Sequence, residues 1–317
     1  MKKFLISILL FITIFFVSDL MIYSLLKANR PIDYKLLIES KKVFFNSENS
    51  SDIIFIGDSH IADATDVRIV ENITQSTSFN LGLYHSSPIE SFYLFKNIIE
   101  SKDKNPKILA IGTNPKMFTF RTSPGKYTLL VMDNLFLKLD LLKETSKGGF
   151  RVFSKSIMEK YLFSTLFKNL MGTNNYKPTR EIHKVHNGYL ETHNQIPSTK
   201  WNKFSKINYL PQNEVQIYYF EKTIELALDN GIEVIIVNPP IWQQWKEEYI
   251  KSAIYLEFLE TIDKISKKYN LPVYNYSKND LIQSDFLNIE HLNYFGAQKF
   301  SSDLAQWIKV QVPTPIK

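Results

Sequence analysis

The stretch DIIFIGDSHIADAT, residues 52–65, decides the fold of this chain. Its apolar run predicts a short buried strand at 52–57, and a helical pattern follows from about Ala62 to Asn72. Two further strands are predicted at 78–83 (SFNLGL) and 107–112 (KILAIG), with a helix from Pro88 to about Glu100 between them. Strands that alternate with helices in this way pair in parallel.

The same alternation returns in the last third of the sequence. Helices are predicted at about 214–229, 244–268 and 295–310, and strands at 232–237 and 272–276. We therefore expect an α/β fold, a three-layer α/β/α sandwich in which helices cover both faces of one parallel sheet.

The rhythm of strands and helices is lost between Pro115 and Pro211. This segment, about 116–212, predicts two helices near 127–145 and 153–171 and then becomes polar and rich in turn residues. We interpret it as an insertion that covers the carboxyl edge of the sheet, where open α/β sheets bind ligands. A separate second domain is the alternative.

The first 30 residues have the character of a membrane anchor. Residues 4–26 read FLISILLFITIFFVSDLMIYSLL, with Asp19 as the only charge, and as a helix they would reach about 34 Å, enough to cross a bilayer. Because no small-residue cleavage site follows, we expect an uncleaved single-pass anchor at 1–30 and a folded domain at 31–317; a cleaved signal peptide is the alternative. Lys2 and Lys3 favour a cytoplasmic amino terminus, which puts the domain outside the cytoplasmic membrane.

Composition excludes several classes of function. The chain has 317 residues and no cysteine, which excludes thiolate metal sites, iron–sulfur clusters and cysteine nucleophiles. Half of the net charge of +6 lies in the first 30 residues, and the remaining excess is too small to indicate nucleic-acid binding. His183 and His186 lie three residues apart without an obvious carboxylate partner, so we expect no metal site there.

Four loops at the predicted carboxyl ends of strands carry residues suited to acyl transfer. Ser59 precedes a helix whose amino end favours a nucleophile that becomes anionic. Gly82 offers a backbone N–H and Asn114 a side-chain amide to a developing oxyanion, and His291 is suited to be the general base. Each residue alone also fits a structural role, a helix cap for Ser59 and turns for Gly82 and Asn114, so it is the set that indicates a site.

This combination resembles the SGNH/GDSL hydrolase superfamily, especially its membrane-anchored bacterial members that add or remove acyl groups on cell-envelope carbohydrates. Gly57-Asp58-Ser59, Gly82 and Asn114 match its first three blocks, and the stretch from His291 to Ala297 matches the last. The resemblance covers about 50–120 and 213–310. It implies a flavodoxin-like fold, Ser59 as nucleophile, His291 as base, and an oxyanion hole made by the Ser59 and Gly82 N–H groups and the Asn114 amide.

One position departs from the family pattern. Members usually carry aspartate three residues before the histidine, where this chain has Asn288. An amide stabilises an imidazolium poorly, because it has no charge. Three arrangements stay open: Asp285 or Glu290 replaces the acid, a backbone carbonyl orients His291 in a Ser–His dyad, or the protein is inactive. We prefer a dyad helped by Asp285.

Together these features predict a membrane-anchored serine esterase or acyltransferase that acts on O-acyl groups, most simply O-acetyl groups, of an envelope polysaccharide and needs no cofactor. His60 and His85 are expected at the rim of the site. The aromatic residues of the insertion, Tyr176, Tyr189, Trp201 and Tyr209, either stack on sugar rings or pack internally. The alternatives are an inactive protein that binds glycan or a partner in polysaccharide acylation or export, and a transferase of another acyl unit such as an amino acid ester.

Overall fold

A computed structural model of the chain describes residues 32–47, 50–119, 134–145, 182–193, 211–242, 252–276 and 280–311, with isolated positions elsewhere. The strands are β1 (Ile53–Ile56), β2 (Ser78–Asn80), β3 (Ile108–Gly112), β4 (Ile182–His186), β5 (Tyr189–Thr192), β6 (Glu233–Asn238) and β7 (Val273–Asn275). The helices are α1 (Ile32–Asn46), α2 (Ser59–Ala64), α3 (Val67–Thr74), α4 (Pro88–Ser101), α5 (Leu135–Thr145), α6 (Glu214–Asp229), α7 (Ala253–Tyr269) and α8 (Tyr294–Gln311).

Five strands form one parallel sheet in the order β2-β1-β3-β6-β7. In β1, the second strand of this order, Ile54 lies between Phe79 of β2 and Leu109 of β3. The predicted α/β class and parallel sheet are therefore confirmed. Because all five strands point the same way, the loops that follow them meet at one edge.

Alternate residues of the sheet face two hydrophobic cores. Ile54 and Ile56 pack in the core shared with α1, α4, α6 and α7. Ile53 and Phe55 pack in the other core, with α2, α3 and α8. All four side chains are fully buried, as expected for a strand covered on both faces. The sheet thus lies between two helical layers.

The helix predicted at about 62–72 is two helices, α2 and α3. The break lies at Thr65 and Asp66, because the Asp66 side chain accepts the N–H of Arg68 and starts a new helix. Ser301 of α8 closes this break: its Oγ accepts the Asp66 N–H at 2.8 Å and donates to the Ala64 carbonyl at 3.1 Å. The last helix is therefore tied to the helix that begins with Ser59.

The insertion contains a β-hairpin where the sequence analysis predicts only turns. β4 and β5 pair antiparallel around Asn187 and Gly188, whose φ angles of +41° and +81° are those of a type I′ turn. The Asn80 N–H donates to the Asn187 carbonyl at 2.9 Å, so the turn lies beside β2. Of the two predicted helices, α5 matches the second half of 127–145, and 153–171 lies outside the described residues.

The predicted anchor at 4–26 lies outside the described residues except for seven isolated positions, which are helical. Among the residues that the structure describes, no helix combines the length and the apolar character needed to span a bilayer.

Candidate active site

Ser59 lies on a sharp turn between β1 and α2. Gly57, which follows the strand, has a φ of +145°, and a Cβ there would lie 3.1 Å from the Gly112 carbonyl oxygen. Asp58 then caps α2, its Oδ1 accepting the His60 N–H at 2.9 Å. Ser59 is the first helical residue and is partly exposed. Its N–H has no hydrogen-bond partner among the described residues.

The structure brings Ser59 and His291 together. The Oγ of Ser59 lies 2.8 Å from Nε2 of His291, although the two residues are 232 positions apart in the chain. The loop that carries His291 is fixed by its own backbone, since the Leu287 N–H donates to the His291 carbonyl at 2.8 Å. This distance suits proton transfer from the hydroxyl to the ring.

Asn288 determines which nitrogen of the His291 ring carries hydrogen. Its Oδ1 lies 3.0 Å from Nδ1 of His291 and also accepts the backbone N–H groups of Glu290 (2.9 Å) and His291 (3.1 Å). A backbone N–H can only donate, so the atom that faces it is the amide oxygen. Nδ1 must then carry the hydrogen and Nε2 the lone pair toward Ser59. Asn288 thus performs the orienting task of a triad aspartate without its charge.

Asp285 does not orient His291. The expected arrangement, a Ser–His dyad helped by Asp285, is therefore corrected. Its Oδ2 accepts the Ile282 N–H and binds the Lys299 ammonium, both at 2.8 Å. The physical reason is local, because Asp285 ends a short 3₁₀ turn, Gln283–Asp285, and caps it. Its carboxylate is buried there.

Glu290 also points away from the ring of its neighbour His291. It forms an ion pair with Lys116, which lies in the loop after β3. This pair joins the third loop of the sheet edge to the last one. Asp285 and Glu290, the two carboxylates nearest to His291 in the sequence, thus both form ion pairs with lysines.

Gly82 has a packing role that the sequence analysis did not assign. Its N–H donates to Oδ1 of Asn80 at 2.9 Å, so the structure does not present it as an oxyanion donor. A Cβ at Gly82 would lie 2.5 Å from Ile61 Cγ2 and 2.7 Å from the Ala62 nitrogen. The amide nitrogen of Asn80 in turn donates to the Ile61 and Thr65 carbonyls at 3.0 Å. Asn80 and Gly82 therefore hold the second loop directly against α2.

Asn114 is held by its neighbours in the site. Its Nδ2 donates to Asp58 Oδ2 at 2.6 Å, and its Oδ1 accepts the Lys116 N–H at 2.8 Å. An amide nitrogen carries two hydrogens, so one remains for a substrate oxygen. Of the three predicted oxyanion donors, the Ser59 N–H and this second amide hydrogen are the ones that the structure leaves for that task.

His60 lies inside the site and not at its rim. It is buried, its Nδ1 lies 3.1 Å from both carboxylate oxygens of Asp58, and its ring stacks on that of His291 with centroids 4.8 Å apart. Burial alone would lower the pKa of His60, but Asp58 reverses this and the pKa is raised. His85 is exposed with a φ of +60°, and its place at the substrate rim stays a prediction.

Lys41 is a buried cation that the sequence analysis missed. Its Nζ donates to the Asn80 and Gly188 carbonyls at 2.6 and 2.5 Å, so it links α1 to β2 and to the hairpin turn. Burial lowers its pKa to about 7, although nearby Asp63 raises it. No local signal marks such a lysine, because lysines are almost always exposed.

The aromatic residues of the insertion give one definite result. Tyr189 is buried beneath the Arg68 guanidinium, 5.6 Å from its ring centroid, so it packs internally and does not face a sugar. Tyr176, Trp201 and Tyr209 lie outside the described residues.

His186 faces Glu71, with Nε2 3.2 Å from its carboxylate. In the part of the chain that the structure describes, no group of three or more His, Asp or Glu side chains is placed to hold a metal ion.

Comparisons with known proteins add distant similarities. A family model matches residues 187–313, a region that includes His291 but not Ser59 and is less than half of the chain. No curated protein matches the sequence significantly. Among solved structures, the crystal structure of the lipase/acylhydrolase from Enterococcus faecalis is similar at 12% identity and a TM-score of 0.39, over 82% of this chain and 95% of that chain. A similarity this distant does not bear on function, which depends on the site geometry.

Proposed function

We propose that this chain is a serine ester hydrolase or acyltransferase that works through an acyl-Ser59 intermediate. The observation that carries the proposal is the 2.8 Å contact between Ser59 Oγ and His291 Nε2, with Nδ1 of the same ring held by Asn288. This is the arrangement that a nucleophile and its oriented base require.

The reaction follows from these atoms. Ser59 Oγ attacks the acyl carbonyl carbon while its proton passes to Nε2 of His291. The tetrahedral intermediate then collapses, and the departing alcohol takes that proton. Water or a sugar hydroxyl next attacks the acyl-serine, gives its proton to His291, and restores the Ser59 hydroxyl when the acyl group leaves.

The oxyanion is stabilised by donors at the start of α2 in this mechanism. The Ser59 N–H and the helix dipole act at the amino end of α2, and the second hydrogen of the Asn114 amide lies in the adjoining loop. Loss of one such donor typically costs about 10²–10³-fold in kcat. The commitment of Gly82 to Asn80 makes Asn114 the more important of the two loop residues.

The substrate and location belong to the same proposal. We assign O-acyl groups, most simply O-acetyl groups, of an envelope polysaccharide as substrate, and residues 4–26 as the anchor that holds the domain outside the cytoplasmic membrane. The support for this location is the 23-residue apolar run, together with Leu10, Ile14, Val17 and Met21, which are helical and exposed. Such a run is typical of a single-pass anchor.

The test uses the full chain in detergent with an acetylated aryl ester and a serine-directed phosphonate. Wild type should release the aryl alcohol, and mass spectrometry should place the phosphonate on Ser59. Ser59→Ala should abolish both, and His291→Ala should remove most turnover. Ser40→Ala serves as the control, because it removes a buried serine hydroxyl on α1 that donates to the Leu37 carbonyl of its own helix.

A wild-type chain that neither turns over the ester faster than Ser59→Ala nor accepts the label would overturn the proposal. Binding of acetylated polysaccharide by that same inactive chain would then favour a non-catalytic carrier, which the lack of charge at Asn288 also fits. Addition of a sugar acceptor separates the two enzymatic outcomes: transfer gives an acetylated sugar, and hydrolysis gives acetate alone.

A further inference from the structure

The Asp58–His60 pair is a second carboxylate–imidazole unit beside the base. Nδ1 of His60 lies 3.1 Å from each Asp58 oxygen. The two imidazole rings stack with their centroids 4.8 Å apart and an angle of 27° between their planes. The mechanism above uses neither Asp58 nor His60.

Asp58 is surrounded by donors and shielded from water. It accepts the His60 N–H, the His60 ring and the Asn114 amide, and its exposure is 6%. A carboxylate suits these contacts, because both of its oxygens accept hydrogen bonds. Charges act over longer distances in such a site, because little water screens them.

His291 gains a positive charge when it takes the Ser59 proton. In a Ser-His-Asp triad the aspartate stabilises that charge through Nδ1. Here Nδ1 meets the uncharged amide oxygen of Asn288. Asp285 and Glu290 are bound to Lys299 and Lys116. Asp58 is a carboxylate that contacts the imidazole pair directly, through Nδ1 of His60.

We propose that Asp58, held through His60 against the face of the His291 ring, supplies the negative charge that Asn288 lacks. This inference rests on the proposed function and deepens it. Asp58 and His60 are positioning residues, since they act through His291. The pair carries a charge of −1 while His60 is neutral and no net charge once His60 is protonated.

The charge state of His60 therefore sets the acid limb of the dependence of kcat/KM on pH. Burial lowers the pKa of His60, and Lys116 lowers it further. Asp58, which caps the helix of His60, and Glu290 on the last loop raise it. The net result is a pKa above the ordinary 6.5. His291 faces the ring from the same last loop and repels a second positive charge. Activity should fall as pH drops through the raised pKa of His60.

The decisive experiment is a rescue. Asp58→Asn should lower kcat/KM for the aryl ester about 10²-fold, because the imidazolium loses its counter-charge. In the Asp58→Asn background, Asn288→Asp should then raise kcat/KM about tenfold or more. In the wild-type background, Asn288→Asp should change kcat/KM much less. A carboxylate at 288 would not repair a damaged helix cap, so rescue separates charge from folding.

Asp66→Asn is the matched control. Asp66 is also buried and also caps a helix by accepting the N–H two residues on, at the start of α3. Its substitution removes the charge of a capping carboxylate of the same kind, at a site without the stacked imidazoles. Asn288→Asp should give no rescue in the Asp66→Asn background. Equal effects of Asn288→Asp in the wild-type, Asp58→Asn and Asp66→Asn chains would overturn the inference.

Two further readouts address His60. His60→Gln keeps Asp58 but removes the titrating ring, so the acid limb of kcat/KM should move to lower pH; an unchanged limb contradicts the role of His60.

NMR titration of the imidazole Cε1–H signals needs no activity. Asp58→Asn should lower the pKa of both His60 and His291, and Asp66→Asn should change neither. If the wild-type chain is inactive yet shows this coupling, the proposed function fails while the electrostatic link stands; uncoupled rings in an active chain reject the link alone.

Discussion

Asn288 is the residue on which the orientation of the base depends. One oxygen accepts two backbone N–H groups and the ring N–H of His291. Asn288→Ala should lower kcat/KM by about 10²–10⁴-fold, since the ring is free to adopt the wrong tautomer. It should also cost about 1–3 kcal/mol of unfolding free energy, because two N–H groups lose their acceptor. Ester kinetics and urea unfolding measure the two effects; Asn288→Asp, which keeps all three bonds, should lose neither, and a fully active Asn288→Ala chain would contradict the assignment.

Gly82 is the residue on which the close packing of the second loop depends. Gly82→Ala should destabilise the fold by about 1–3 kcal/mol, as an overpacked core does, because its Cβ would overlap Ile61 and the backbone of Ala62. It should also slow ester turnover, since α2 carries Ser59. The control is Gly231→Ala, where a Cβ meets nothing within 4 Å and only the φ of +69° opposes the substitution. Thermal unfolding and kcat measured together test this, and an unaffected kcat in Gly82→Ala would show that the loop and α2 move independently.

At this scale the sequence predicts the meeting of Ser59 and His291 but not what surrounds it. Loop position after strands places both residues at one edge, and that placement needs only the alternation of strands and helices. The engagement of Gly82 by Asn80 and of Asn114 by Asp58 depends on side-chain contacts between loops. Such contacts have no spacing signature, so the sequence does not reveal that the Gly82 N–H is engaged by Asn80. The oxyanion roles of Ser59 and Asn114 stay a prediction.

At the scale of elements, Lys41 makes the attachment of α1 dependent on pH. Its pKa is about 7 in the folded chain, against 10.5 for an ordinary lysine. Between these values the unfolded chain holds a proton that the folded chain has lost, so stability rises with pH. From pH 7.5 to 9.0 the wild type should gain about 2 kcal/mol relative to Lys41→Met.

Urea unfolding of the full chain at the two pH values measures this difference. Lys42 is the neighbouring, partly exposed position on α1. Lys42→Met should show the same change of unfolding free energy with pH as the wild type. Equal slopes for wild type and Lys41→Met would show that Lys41 does not titrate in this range. At about pH 6 and below, the unfolding free energies of the two chains should change with pH in parallel, since Lys41 is then charged in both its folded and unfolded states.

Strands and helices of the sheet were predictable because each is an apolar run or a periodic pattern between turn residues. Two local features mark structure that the periodic pattern does not show: the Asn187-Gly188 pair, which is typical of a type I′ hairpin, and Asp66, whose capping side chain divides the predicted helix. Both signals are present in the sequence. They were outweighed by the polar composition around the first and by the continuous apolar pattern around the second.

At the scale of the whole molecule, the anchor at 4–26 stays a prediction. The full chain should sediment with membranes and resist extraction at alkaline pH, because a single apolar span holds it by hydrophobic transfer alone. A chain that begins at residue 31 should be released, with its ester kinetics unchanged. Extraction of the full chain by alkali would contradict a spanning anchor and favour a cleaved peptide.

The contacts that Ser301 makes across the break between α2 and α3 determine when the proposed active site can form during synthesis. Ser59 is synthesised early, but His291 follows 232 positions later. Ser301 follows about ten positions after His291. Until the final helix has been synthesised and docked, the serine has no partner to accept its proton. A nascent chain that lacks α8 therefore has Ser59 without its proposed base, and we expect ester reactivity only after α8 has packed against α2.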